Sequence, residues 1–258
     1  MKDLRIVIPA YNEESSIAEV IDRVRKACPD AEIVVVDDGS KDQTAEIAWE
    51  KGVNVISNLT NLGYGAALKV GFGRNLNSDC SIKYFAFLDA DGTYPPESIP
   101  ELCDLCAEKG YDVAVGSRFL GRNEGMPWIR RVGNRLFALL ASVYTGRKVT
   151  DTGSGLRVFK APLLSWIQNL PDGLNLTPAM TTKTLFDGLA YAEIPIAYDK
   201  RAGKSKLSTI KDGYRFLEVI MKSTKQHRPL LFYCTLGIPF LLVESIIRVR
   251  TAVRARDR

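Results

Sequence analysis

Over residues 4–117 the chain repeats one pattern. A short β-branched or aromatic run ends in polar residues or glycine, and a stretch with apolar residues at helical spacing follows. No other feature constrains the fold as strongly. Strand–helix–strand alternation produces parallel strands, and parallel strands need helices over both faces. Leu4–Pro9 reads as a strand, and Glu14–Ala27 carries Ile17, Val20, Ile21 and Val24 on one helical face. Glu32–Val36 reads as a second strand ending in Asp37-Asp38-Gly39-Ser40, Asp42–Glu50 as a helix, and Val53–Ser57 as a third strand. Tyr84–Leu88 is a further strand, Pro95–Lys109 a helix with proline near its start, and Tyr111–Val115 a strand. In open sheets of this kind, ligands sit at the carboxyl ends of the strands. The polar residues after each strand are therefore the first candidates for function.

After Gly116 the pattern changes. Arg118 to Asn134 is basic and contains glycine, and an apolar helical stretch from Leu136 to Tyr144 follows, as expected of an excursion facing a substrate. Gly155–Phe159 and Tyr191–Ala197 are strand candidates, and Leu207–Lys225 reads as an amphipathic basic helix. At 258 residues and 46% apolar content the chain suits one α/β domain with a tail. The cysteines are scattered and odd in number, and no secretory apolar stretch precedes the first strand, so a reduced domain facing the cytoplasm is expected. With His227 the only histidine, a histidine-rich metal site is excluded, and any divalent ion needs oxygen ligands, which favours Mg2+ or Mn2+. Charge is uneven. Residues 1–200 hold 22 Lys and Arg against 26 Asp and Glu, whereas residues 201–258 hold 13 against 4. A basic end beside the apolar segment Leu230–Ile247 points to phospholipid rather than nucleic acid, for which no aromatic-rich basic platform is visible.

Asp89-Ala90-Asp91 leaves the strand Tyr84–Leu88. Alternate residues there can aim two carboxylates at one hard cation, which can in turn bridge a diphosphate. Alone, such a pair also fits a solvated turn. Its company matters more: Pro9-Ala10-Tyr11-Asn12-Glu13-Glu14, Val36-Asp37-Asp38-Gly39-Ser40, Asn61-Leu62-Gly63-Tyr64-Gly65-Ala66-Ala67-Leu68, Gly116-Ser117-Arg118, Asp151-Thr152-Gly153-Ser154-Gly155-Leu156-Arg157 and Arg201-Ala202-Gly203-Lys204-Ser205-Lys206-Leu207. With these runs in this order, the chain resembles the family 2 GT-A glycosyltransferases over residues 4 to 228. Within them it is similar to the branch of dolichol-phosphate mannosyltransferase and related polyprenyl-phosphate hexosyltransferases.

The resemblance implies a GT-A, Rossmann-like, mostly parallel sheet flanked by helices, with a C-terminal amphipathic and apolar helical tail. It implies an inverting hexosyltransferase that uses a nucleotide sugar and a polyprenyl (dolichyl) phosphate at a membrane surface. Pro9, Tyr11, Glu13, Asp38 and Asp89 would bind the nucleotide sugar, with Asp38 on the base or ribose. Asp89 and Asp91 would hold Mg2+ or Mn2+ and, with Asp151 on the sugar or acceptor side, form the catalytic set; for Asp151 a turn-capping role is also open. Arg118, Arg130, Arg131 and Arg201 are the candidates for the acceptor phosphate, since guanidinium forks match phosphate geometry. Two places beyond Asp91 the mannosyltransferase branch often has an amide or polar metal ligand. Here that position is Thr93, in Asp-Gly-Thr-Tyr-Pro-Pro, which leaves the donor open among UDP-glucose, UDP-N-acetylglucosamine and GDP-mannose.

Asn61–Leu68 is expected to start a glycine-rich helix near the donor, without a catalytic role. Cys103-x-x-Cys106 is read as helix packing. The expected division is 1–228 for the catalytic domain, with a donor half at 1–115 and an acceptor half at 116–228, and 229–258 for a membrane-associating tail. Its stretch Pro229–Ile247 suits a short span, an interfacial helix or a helix packed on the domain. A soluble glycan acceptor, or a catalytically silent module binding nucleotide or lipid, are the rival functions.

Overall fold

The computed structural model describes residues 2–73, 82–123, 125–201, 209–235 and 237. The strands are β1 (Leu4–Ala10), β2 (Glu32–Asp37), β3 (Asn54–Ser57), β4 (Tyr84–Phe87), β5 (Val113–Ser117), β6 (Arg157–Lys160) and β7 (Tyr191–Pro195). The helices are α1 (Ile17–Ala27), α2 (Thr44–Glu50), α3 (Tyr64–Gly73), α4 (Ile99–Ala107), α5 (Trp128–Thr145), α6 (Leu164–Ile167), α7 (Leu176–Phe186) and α8 (Thr209–His227). The strands form one sheet in the order β3-β2-β1-β4-β6-β5-β7. Each lies within two residues, at either end, of the run expected from sequence.

The sheet is mostly parallel, as expected, with one reversal. β6 runs antiparallel to both neighbours, pairing Tyr84 with Lys160 on β4 and Val113 with Phe159 on β5. Its beginning, not its end, therefore lies at the carboxyl edge of the other strands. That reversal delivers the loop 151–156 to the same edge as Asp89 and Arg118.

Every residue of β1 is buried, because helices cover both faces. Strand alternation sends Leu4, Ile6 and Ile8 to a layer shared with Ile17 and Ile21 of α1 and Leu102 of α4. Val7 goes to the opposite layer, with Phe72 of α3, Phe85, Phe87, Phe159 and Met180 of α7. There Phe72 meets Phe85 and Phe159 edge-on, with ring centroids 5.7 and 5.1 Å apart. α3 comes this close because residue 71 is glycine: a Cβ there would lie 2.4 Å from Val7 Cγ1.

α5 begins at Trp128, eight residues before the apolar stretch read from sequence, so that reading was too short. α8 packs against α5 and α7, with Phe137 and Phe216 5.9 Å apart across α5 and α8. After α8 the backbone keeps helical bonds from Arg228 N to Thr224 O at 2.8 Å and from Phe232 N to Arg228 O at 3.0 Å. Most of the expected tail, from residue 238 onward, lies outside the described residues. Among the described residues no helix is long and apolar enough to cross a membrane. Cys103 and Cys106 are buried free thiols on α4, as packing residues would be.

Candidate active site

A cleft of about 850 Å³ opens at the carboxyl edge of the sheet, lined by Pro9, Tyr11, Glu13, Asp38, Asp89, Asp91, Arg118, Arg130 and Arg201 among others. Nine of the candidate site residues thus meet in one place. Arg131 and Asp151 are not on its wall.

On one side of the cleft, the loops after β1 and β2 are pinned together. Asn12, in left-handed backbone at φ 51°, donates its N–H to Ser40 Oγ at 2.8 Å, and its Oδ1 accepts from Lys41 N at 2.7 Å. Glu13 N donates to Thr44 Oγ1 at 2.8 Å. Asp38 is buried, and its carboxylate accepts from Asn58 Nδ2 at 2.8 Å and from the Leu62 and Gly63 amides at 2.9 Å each. Here Asp38 shapes the loop 58–63 as one side of the cleft.

At the cleft floor, Asp91 Oδ1 accepts from the Thr93 amide at 3.1 Å and from Thr93 Oγ1 at 2.6 Å. Thr93 is thereby turned onto Asp91, fixing its rotamer. Asp89 Oδ1 accepts from Tyr64 Oη at 2.7 Å. Burial and then the charge of Asp91 push the Asp89 carboxyl up to about 7, against the opposing pull of the Tyr64 hydrogen bond and of Arg118 and Arg201. Burial and the Asp89 charge keep Tyr64 protonated, hence a donor. Asp89 also lies directly over Gly155, where a Cβ would stand 2.6 Å from both carboxylate oxygens. The Gly155 amide is held by Tyr94 Oη at 2.8 Å.

Two carboxylates in mutual repulsion, with no third His, Cys, Asp or Glu grouped with them among the described residues, make a partial cation site. Such a site fits Mg2+ or Mn2+, which keep waters and take diphosphate oxygens alongside one or two carboxylates.

The opposite wall is basic. Arg118 leaves β5 and grips Asp151 with Nε and Nη2, each at 2.7 Å, and with its backbone amide at 3.1 Å. Burial disfavours the charged guanidinium, but Asp151 outweighs it and holds the Arg118 pKa well above its ordinary value. The Tyr198 ring covers it at 5.4 Å. Asp151 is itself fully buried behind Arg118, and its amide donates to Glu193 Oε1 at 3.1 Å. Glu193 on β7 also accepts from Thr150 N at 2.9 Å and Thr150 Oγ1 at 2.6 Å. Arg131 turns aside and donates to Asn123 O at 2.6 Å. Arg201 contacts Glu13 and lies 3.4 Å from Asp91, so its guanidinium joins the loop after β1 to the acidic floor of the cleft.

Tyr64, Tyr94, Tyr198, Asn134, Lys211 and Arg215 also line the cleft and were not read as site residues from sequence. Tyr64 lay in a run given no catalytic role, although a tyrosine between two glycines was the available signal. Lys211 and Arg215 lay on a helix read only for its amphipathicity. Arg157, buried beneath the loop, donates to the Ser154 and Thr152 carbonyls at 3.0 and 2.8 Å and to Thr181 Oγ1 at 2.8 Å.

A helix-covered sheet with one reversed strand, an acidic pair at its carboxyl edge and arginines across the cleft defines a GT-A-type glycosyltransferase architecture. The chain belongs to glycosyl transferase family 2, whose sequence profile matches residues 5–165. It is 36% identical over 231 residues to the dolichyl-phosphate hexose transferase of Haloferax volcanii, covering 88% of this chain and 96% of that one. It is 32% identical over 215 residues to the polyprenol monophosphomannose synthase of Mycolicibacterium smegmatis, covering 79% and 80%. The fold is shared with glucosyl-3-phosphoglycerate synthase of Mycobacterium tuberculosis, solved with Mn2+, UDP-glucose and phosphoglyceric acid, at a TM-score of 0.64 and 23% identity over 87% of this chain and 79% of that one. The family and enzyme class expected from the motifs are thus established.

Proposed function

We propose that the protein transfers a hexose from a nucleotide sugar to a polyprenyl phosphate, with inversion at the anomeric carbon. The observation that carries this reading is the joining of an acidic pair and a group of arginines in one cleft. The first suits a metal-bound diphosphate and the second a phosphate acceptor. Relatives named for polyprenyl- and dolichyl-phosphate chemistry support the acceptor.

Asp89 and Asp91 would hold the divalent cation, which when bound neutralises charge on the departing nucleoside diphosphate. Pro9, Tyr11 and Glu13 would flank the nucleotide, and Asp38 would act through the loop it shapes. An acceptor phosphate oxygen forms the new bond to the anomeric carbon as the bond to the diphosphate breaks. Because a phosphate monoester is already largely ionised near neutral pH, no protein base is required. Arg118, Arg130 and Arg201 would orient that phosphate, with Asp151 fixing Arg118 rather than touching the sugar. The donor half then corresponds to residues 1–115 and the acceptor half to 116–228.

Membranes carrying the protein, incubated with radiolabelled UDP-glucose, UDP-N-acetylglucosamine or GDP-mannose and polyprenyl phosphate, should yield label extractable into organic solvent with one donor. Label that appears only in water-soluble glycan would replace the lipid acceptor in this reading, and no turnover with any donor would point to a silent binding module.

A further inference from the structure

Thr150 and Asp151 lie in neither a helix nor a strand, so their amides need acceptors from outside the regular ladders. One side chain supplies both. Glu193, half-buried on β7, accepts from the Thr150 amide at 2.9 Å through Oε2 and from the Asp151 amide at 3.1 Å through Oε1. The same carboxylate takes the Thr150 hydroxyl at 2.6 Å and the Tyr191 hydroxyl at 2.8 Å. Burial and then the Glu193 charge push the Tyr191 phenol well above its ordinary range, so it stays a donor. These partners are all neutral. A carboxylate, which only accepts, is the side chain that can serve so many donors at once.

Two routes lead from Glu193 to Arg118. The first runs through Asp151, whose amide is fixed on Glu193 and whose carboxylate grips Arg118 Nε and Nη2 at 2.7 Å each. The second reaches the backbone on either side of Arg118. Because the Thr150 hydroxyl gives its proton to Glu193, Ser117 donates to Thr150 across their 2.6 Å contact, and Ser117 Oγ in turn accepts from Phe119 N at 3.3 Å. The donors point one way, from Phe119 to Ser117 to Thr150 to Glu193, an arrangement in which each bond polarises the next. The residues before and after Arg118, and the carboxylate that holds its guanidinium, thus all end on one side chain. β7 brings it there by pairing parallel with β5, Val115 opposite Glu193.

We infer that Glu193 is a positioning residue for binding of the phosphate acceptor, acting through Asp151 and Thr150 to hold Arg118 at the cleft wall without itself touching a substrate. This rests on the acceptor reading of Arg118 and extends it to a residue that is not on the cleft lining.

Glutamine at 193 is nearly isosteric, yet it cannot replace the carboxylate: in either orientation its NH2 group faces the amide of Thr150 or that of Asp151. In the full chain with isotope-labelled arginine, the Arg118 Nε–H should be protected from hydrogen exchange, its signal assigned by its loss in Arg118→Lys. Glu193→Gln should speed that exchange about tenfold or more, while the Arg157 Nε–H, bonded to Ser154 O in the same loop, keeps its wild-type rate. Thr150→Val cuts only the second route and should speed it about threefold, which keeps the comparison available if Glu193→Gln does not fold. In detergent, Glu193→Gln should raise the apparent Michaelis constant for polyprenyl phosphate about tenfold, with the nucleotide-sugar dissociation constant, measured without acceptor, unchanged. Equal acceleration at Arg118 and Arg157 would mean that Glu193 supports the whole loop, and it overturns the proposal. Unchanged exchange at Arg118, or a loosened Arg118 with an unchanged acceptor constant, overturns it as well. Wild type that transfers to no polyprenyl phosphate refutes the acceptor reading instead, and the two exchange rates then decide alone whether Glu193 holds Arg118.

Discussion

Asp89 is the residue at which the physics of the site is most visible. Its carboxyl titrates near 7 because burial and Asp91 both oppose its charge. Between its ordinary pKa and that value, the folded cation-free protein holds a proton that the unfolded chain has released. Stability therefore falls as pH rises through this window. A cation that takes the proton's place reverses the loss, so Mn2+ should raise the melting temperature more at pH 8 than at pH 6, and Asp89→Asn should remove the difference. Equal shifts at both pH values would exclude Asp89 as the titrating ligand. Across the cleft, Asp151 poses a different question. Asp151→Asn keeps the shape of the carboxylate but leaves Arg118 buried without its counter-charge, a change that typically costs about 3–5 kcal/mol. The melting temperature should drop, and the apparent Michaelis constant for polyprenyl phosphate should rise about ten- to hundredfold, with donor affinity measured without acceptor nearly unchanged. A matching loss of donor affinity would move Arg118 into the nucleotide pocket.

At the scale of elements, two glycines separate the fold from the site. Gly71→Ala sets a Cβ against Val7 in the core between α3 and the sheet, and overpacking of about 1–3 kcal/mol should lower the melting temperature by about 3–10 °C while Mn2+ affinity holds. Gly155→Ala pushes instead on both oxygens of Asp89, so isothermal titration should show Mn2+ affinity lost with little change in melting. The reverse pairing of effects would mean that the loop before β6 supports the core rather than the acidic pair. The strands were legible in the sequence because β-branched runs bounded by polar residues have few other uses. The reversal of β6 was not, since four residues with charge at both ends carry no mark of direction. The start of α5 was obscured for a related reason: Arg130, Arg131 and Gly133 interrupt the apolar spacing. The acidic pair and Arg118 could be found from motifs, whereas Tyr64 meets Asp89 only through the packing of α3 on the sheet, which no local pattern records.

The whole molecule is held together at the seam between β4 and β6. On one side β3, β2, β1 and β4 come from residues 4–87, and the pairings among these four are complete once β4 is made. On the other, β5 can join the sheet only through β6, and β6 pairs Tyr84 with Lys160, far later in the chain. Contacts between distant segments carry the loop-closure entropy that slows folding. The order of events follows from this asymmetry. The first four strands can assemble early as a sheet with an open β4 edge, and Gly155 reaches Asp89 only when β6 fills that edge. Competence to bind donor should therefore be acquired last: in refolding from denaturant, recovery of nucleotide-dependent fluorescence should follow the slowest phase, behind the return of secondary structure. The unpaired β4 edge is, until then, the place where a nascent chain is most open to pairing with the wrong strand.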